Sequence, residues 1–207
     1  MSGVVEHAKG ALALTVSYDG APFAGFARQP GLPTVQGQLE RALSTILRRE
    51  VRTVGAGRTD AGVHALGQVV SFDADGSEPE SHMLLRSLNA LVGEGIIVTG
   101  VRSAAPGFSA RFDAEAREYR YRLIPGPVPP LFLSSVAWWT RRTLDLGAMR
   151  DAAATLIGEH DFGSFCVAQS AQAERTTRRR IEHIEIMPEE HLGEHCVTVR
   201  VVGNAFL

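Results

Sequence analysis

The sequence predicts an α+β fold: two similar halves that share a largely antiparallel central sheet, with helices on one face and a binding cleft between the halves. Three observations predict it. Strand-like alternation and helix-period stripes follow one another along the chain. The stretch 125–130 carries four prolines, at 125, 127, 129 and 130, so it is extended and non-helical, a natural connector. The segment after it repeats the style of the segment before it. The expected organisation is an N-terminal tail at 1–10, a first half at 11–124, the connector at 125–130 and a second half at 131–207.

The elements follow in order. Residues 11–18 place Leu12, Leu14, Val16 and Tyr18 on one face, a strand signal. After Pro33, residues 34–49 read as an amphipathic helix with Val35, Leu39, Leu43, Ile46 and Leu47 on its apolar side. Residues 51–54 and 68–72 read as strands. Ser81 is placed to cap a second helix bearing Leu84, Leu85, Leu88 and Leu91. Residues 96–103 and 117–124 read as strands. In the second half, 135–140 is strand-like, and Asp145 is placed to cap a helix through Met149, Ala153, Leu156 and Ile157. Strands at 180–187 and 196–202 close the chain.

Between the strands at 51–54 and 68–72 lies the most informative run, Gly57-Arg58-Thr59-Asp60-Ala61-Gly62-Val63-His64. Gly55, Gly57 and Gly62 fence it, so the backbone can turn sharply and approach a ligand closely. The residues alone allow two readings. Asp60 is a lone carboxylate aimed at a substrate, with Arg58 holding it ionised or reaching a phosphate. Alternatively, Asp60 caps its own turn in a hairpin, as Asp often does near Gly.

Composition narrows the classes. A chain with 44% hydrophobic residues can bury a substantial core in one or two domains. No apolar run approaches the roughly 20 residues that cross a membrane, and the N-terminus lacks the apolar region of a signal peptide. Cys166 and Cys196 are too few for a disulfide framework and lack metal spacing, which favours reduced thiols and a cytoplasmic location. A net charge of −2 argues against an indiscriminate nucleic-acid binder. The distribution says more. Lys9 is the only lysine, and Arg175, Arg178, Arg179 and Arg180 cluster, as do Arg111, Arg117, Arg120 and Arg122. Any single Arg reads first as a solvated surface charge or ion-pair partner, but arginine's planar fork suits bidentate phosphate contacts, and the run from Arg175 to Arg180 is the best candidate for RNA-backbone binding.

The loop resembles the signature loop of the tRNA pseudouridine synthase A family, with Ala56 ahead of it and Ala65 behind. Further segments are similar in the same order. They are Tyr18-Asp19-Gly20 with Phe23, Gly25-Phe26 and Arg28-Gln29; Thr34-Val35-Gln36; Phe108-Ser109-Ala110-Arg111-Phe112; Arg117, Tyr119 and Tyr121; Gly158-Glu159-His160-Asp161-Phe162 with Ser164-Phe165; and Asn204-Ala205-Phe206. The resemblance implies the pseudouridine synthase fold with an RNA-binding cleft. It implies an isomerase acting on uridines at positions 38, 39 and 40 in the anticodon stem-loop of tRNA, and a homodimer.

That chemistry breaks the N-glycosidic bond, turns the uracil and rejoins it to the ribose through carbon. It involves no redox change or group transfer, so no cofactor is expected. One carboxylate suffices as nucleophile or base. The resemblance gives that place to Asp60, base displacement to Arg58 and stacking on the uracil to Tyr119. Leu207 ends an apolar strand-like run without a polar tail or turn. In the family, a helix follows whose first basic residue partners the catalytic Asp, so the resemblance implies either a truncated chain, its second half incomplete at its end, or an ion pair made by another Arg, and truncation is the favoured reading.

Other constellations carry less. His64 reads as a turn or surface histidine. His191, His195 and Cys196, with Glu189 and Glu190, superficially resemble a metal cluster, but they fall where a hairpin is expected, and one i,i+4 pair is weak evidence. No metal is expected. Trp138 and Trp139 read as core or interface packing. The alternative to a synthase is a non-catalytic RNA-binding module or an inactive fragment. A small-molecule hydrolase built on Asp60 lacks a second acid or base placed near it.

Overall fold

The computed structural model describes residues 10–165 and 176–206. They form two compact units that divide between Ala114 and Glu115.

In the first unit, β1 (Ala11–Tyr18) lies between β3 (Ala65–Asp73) and β4 (Ile96–Ala104), antiparallel to both, and β2 (Val54–Gly55) pairs with β3. Alternation along β1 sends Leu12, Leu14, Val16 and Tyr18 to one face, where they meet Val70 and Phe72 of β3 and Val98 of β4. Helices α1 (Val35–Leu47) and α2 (Ser81–Leu91) cover that face with Leu39, Leu43, Leu84 and Leu88, all fully buried. Full burial of such a side chain contributes roughly 1.5–3 kcal/mol.

Thr34 caps α1, its Oγ1 accepting from the Gly37 N–H at 3.2 Å. Arg48 ends the helix in the left-handed region, at φ 52°. Ser81 does not cap α2 as expected. It is the first helical residue, and Glu80 stands at the cap with no side-chain bond.

In the second unit the sheet order is β6-β5-β9-β8-β7. The strands are β5 (Arg117–Pro125), β6 (Trp138–Thr140), β7 (Gly158–Asp161), β8 (Arg178–His191) and β9 (Glu194–Gly203). All pairings are antiparallel except β5 with β6. Helix α3 (Leu146–Ala154) is capped by Asp145, as expected, and tied to β8 by Arg150 donating to the Ile186 carbonyl at 2.9 Å. Ile124, Leu133 and Cys196 form a small core with Ala137 and Trp139.

Two expectations are corrected. Hydrogen bonding divides the strands into two sheets, one in each unit, where one sheet spanning both halves was expected. The Pro-rich stretch does not join the units. It runs from β5 to β6, and β5 belongs to the second unit because it pairs with β9 from Arg117–Gly203 to Leu123–Val197. The strand expected at 135–140 is only Trp138–Thr140, and β7 falls in a segment not read as a strand.

Candidate active site

The Asp60 loop is held from below by β3 and from the side by the segment that follows β1. The Ala56 N–H donates to the Val69 carbonyl at 2.8 Å, and Gln68 Nε2 donates to the Gly57 carbonyl at 2.7 Å. On the other flank, the Phe26 N–H donates to the Thr59 carbonyl at 3.0 Å, while the hydroxyls of Tyr18 and Thr59 lie 2.8 Å apart. The approach is close enough to require glycine. A β-carbon on Gly25, at φ +112°, would meet the Thr59 carbonyl oxygen at 2.9 Å.

Asp60 itself starts a turn. The Val63 N–H donates to the Asp60 carbonyl at 3.2 Å, and Gly62 takes φ +79°. The turn is closed by the backbone carbonyl, so the carboxylate is spare. It is exposed, and among the described residues nothing donates to it or pairs with it. This removes the reading in which Asp60 caps its own turn. Arg58 is also exposed, and no described residue engages its guanidinium. The loop therefore presents a carboxylate and a cation two residues apart on a clamped backbone.

His64 anchors the far end. Its Nδ1 accepts from the Gly20 N–H at 3.3 Å and lies 3.1 Å from Asp19 Oδ1. One nitrogen cannot serve both at once. Without a hydrogen it accepts from Gly20, and carrying one it donates to Asp19. Next to this stem, Ser71 Oγ accepts from the Ala110 N–H at 2.9 Å and fixes the segment carrying Arg111 and Phe112, whose ring is 81% exposed.

The second unit places the remaining expected residues. Tyr119 is half-buried on β5, opposite Val201, with its ring edge-on to Phe206 at 4.8 Å between centroids. Of the arginine run, Arg175 lies outside the described residues. The Arg178 Nε donates to Glu159 Oε1 at 3.0 Å, and the Arg179 Nη1 donates to the carbonyls of Thr176 and Arg178 at 2.7 Å. Arg180 is exposed, and its side chain has no partner among the described residues.

Glu189, His191 and Cys196 share one face of the β8–β9 hairpin, their ligand atoms within 4.8 Å of one another, while His195 pairs with Glu190. Thr198 and His191 both donate to Glu189 Oε2, and burial pushes the Cys196 thiol up.

Sequence reasoning missed Glu40, an acid only 7% exposed on α1. The signal was available: position 40 falls at the edge of the apolar stripe, beside Leu43 and Leu47. Its Oε1 accepts from the Thr53 N–H at 2.9 Å, the Thr53 hydroxyl at 3.2 Å and Gln36 Nε2 at 3.2 Å.

Comparison with known proteins identifies the family. The sequence pattern of the family described as tRNA pseudouridine synthase matches residues 14–95 and 152–207. The chain is 51% identical over 196 residues to the tRNA pseudouridine synthase A of Neisseria gonorrhoeae (strain ATCC 700825 / FA 1090), covering 94% of this chain and 71% of that protein. It is 41% identical over 198 residues to the tRNA pseudouridine synthase A of Shouchella clausii, covering 95% of this chain and 73% of that protein. With a clamped Asp60 loop inside the matched region and this identity along nearly its whole length, the chain belongs to the tRNA pseudouridine synthase family.

Proposed function

We propose that this chain isomerises uridine to pseudouridine in the anticodon stem-loop of tRNA, at positions 38, 39 and 40, with Asp60 as the nucleophile. The observation that carries the reading is the Asp60 loop: a carboxylate left spare by its own turn and held on a backbone clamped from two sides. Asp60 attacks the ribose or the uracil, the glycosidic bond from N1 breaks, and the uracil turns; as C5 bonds to the ribose, the bond to Asp60 breaks, the C5 proton leaves and N1 takes up a proton. Family membership and the charge placed beside Asp60 support this reading over a hydrolase.

A paired uridine must leave its stack first, at a cost of a few kcal/mol. Arg58, exposed two residues from Asp60, takes the space of the displaced base. Tyr119 stacks on the uracil, which contributes roughly 1–3 kcal/mol. Arg175, Arg178, Arg179 and Arg180 contact the RNA backbone. The protein works as a homodimer in the cytoplasm. No helix of the described residues is long and apolar enough to cross a membrane.

The test is product analysis of tRNA treated with the protein and with Asp60→Asn, which keeps shape and removes charge. The expected result is pseudouridine from the first and none from the second, with tRNA binding retained. Binding without product by the unaltered chain would make it an RNA-binding module. Product from Asp60→Asn would remove Asp60 from the chemistry.

A further inference from the structure

The Asp60 loop and the segment bearing Arg28 share a buried support that the chemistry above does not use. Glu40 Oε1 takes all three of its donors from Thr53 and Gln36. Thr53 immediately precedes β2, the stem of the Asp60 loop. Gln36 extends the network: its Nε2 also donates to the Thr53 carbonyl at 2.8 Å, and its Oε1 accepts from the Arg28 N–H at 2.9 Å.

The second oxygen, Oε2, is buried and accepts no hydrogen bond from the described residues. The Arg28 guanidinium stands 3.7 Å from it, with its own side chain 53% exposed. Arg28 lies two residues beyond Phe26, whose N–H holds the Thr59 carbonyl. Arg28 and Arg41 line a concavity of about 260 Å³ together with Glu40 and Glu50.

We propose that Glu40 is a positioning residue that presents Arg28 to a phosphate of the tRNA substrate. A buried carboxylate with one oxygen unsatisfied is costly, so the guanidinium above it is held in place electrostatically. A cation held this way enters binding without first losing the freedom of a long side chain. Arg28 is thus fixed on the segment that touches the Asp60 loop, and Arg41 adds a second cation on the same concavity. The inference rests on the reading of this chain as a tRNA-modifying enzyme.

Glu40→Gln separates positioning from support. The amide oxygen can still accept from Thr53 and Gln36, but an NH2 then faces the Arg28 guanidinium, donor against donor. The experiment is a double-mutant cycle of Glu40→Gln and Arg28→Ala in the full chain. It is read as tRNA affinity across a salt series, with thermal melting alongside.

Arg28→Ala is expected to weaken binding by up to about fivefold, the worth of one exposed ion pair. It should also reduce the slope of log K against log [salt] by roughly 0.7–0.9. Glu40→Gln should weaken binding to a similar degree, and the double variant should bind no worse than Arg28→Ala. Losses that simply add would overturn the proposal, as would full affinity in Glu40→Gln. Should Glu40→Gln fail to fold, Arg28→Ala decides alone: an unchanged slope overturns the proposal, and a reduced slope restored by Arg28→Lys supports it. Because the cycle reads binding, a failure of Asp60 as the nucleophile would leave its outcome intact.

Discussion

Gly20 lies against Val63 so closely that a β-carbon on Gly20 would meet the Val63 carbonyl oxygen at 2.2 Å. The three nearest atoms, from Val63 and Gly62, are all backbone, so no side-chain rotation relieves the contact. The Gly20 N–H also donates to His64 Nδ1, which ties the same two segments together from the other side. Asp60 and Val63 are the ends of one turn, so pushing Val63 moves the carboxylate.

Gly20→Ala is therefore expected to destabilise the protein by roughly 1–3 kcal/mol, the usual cost of forcing atoms into a filled space. The loss in pseudouridine formation should exceed what the unfolded fraction explains, because the folded protein carries a displaced Asp60. Thermal melting and turnover on one preparation check this. Normal turnover per folded molecule would show that the loop absorbs the shift elsewhere.

How far the sequence could be read depended on distance along the chain. The alternation of Leu12, Leu14, Val16 and Tyr18 is local, and β1 formed where it was expected. The glycines around Asp60 are local too, and so the loop was legible. Its clamp was not. Tyr18 and Thr59 are 41 residues apart, and Gly20 and His64 are 44 apart, so nothing in either segment announces the other. The same reason moved β5 into the second unit: Arg117 pairs with Gly203, and the prolines that follow β5 look like a boundary only until that pairing is seen. Glu40 stood at the edge of an apolar stripe, but its partner Thr53 lies 13 residues further on, and nothing in either segment announces the other.

Tyr119 distinguishes stacking from packing. Its edge-on pair with Phe206 contributes roughly 0.5–1.5 kcal/mol beyond area burial. Tyr119→Phe should keep that pair and most tRNA affinity while losing any step that needs the hydroxyl. Tyr119→Ala should weaken tRNA binding by roughly 1–3 kcal/mol. A variant that melts earlier yet binds tRNA normally when folded would confine the ring to core packing.

The arginine run should not act uniformly. Arg178 is engaged by Glu159, and Arg179 is turned onto backbone carbonyls, whereas Arg180 is exposed with no described partner. Arg180→Ala is expected to lower the salt slope of tRNA binding by roughly 0.7–0.9, as one lost phosphate contact does. Arg178→Ala should lower it less, since the cation must first leave Glu159. Arg179→Ala should also lower it less, since its guanidinium must first leave the Thr176 and Arg178 carbonyls. Different tRNAs should weaken alike, because phosphate contacts carry no base sequence. An equal slope for all three variants and the parent would return the run to ordinary surface charge.

Arg120 and Arg200 stand directly opposite each other on β5 and β9, a like-charge pair that would destabilise the sheet if left alone. Glu118 relieves it, with Oε2 2.7 Å from Arg200 and Oε1 2.7 Å from Arg120, and Glu185 adds a contact to Arg200 at 2.9 Å. The Arg200 hydrogen bond, with a smaller contribution from Arg120, holds the Glu118 carboxyl below the usual carboxylate range. A group whose pKa is lower folded than unfolded stabilises the fold above its unfolded value, and that stability fades as pH falls through the folded value. Glu118→Gln should therefore be less stable than the parent at neutral pH, and the gap should close as pH drops below about 4. High salt should narrow the gap at neutral pH, because these side chains are partly exposed. Denaturant unfolding across that range is the measurement, and a gap that stays constant from neutral to acid pH would assign the effect of Glu118 to packing rather than charge.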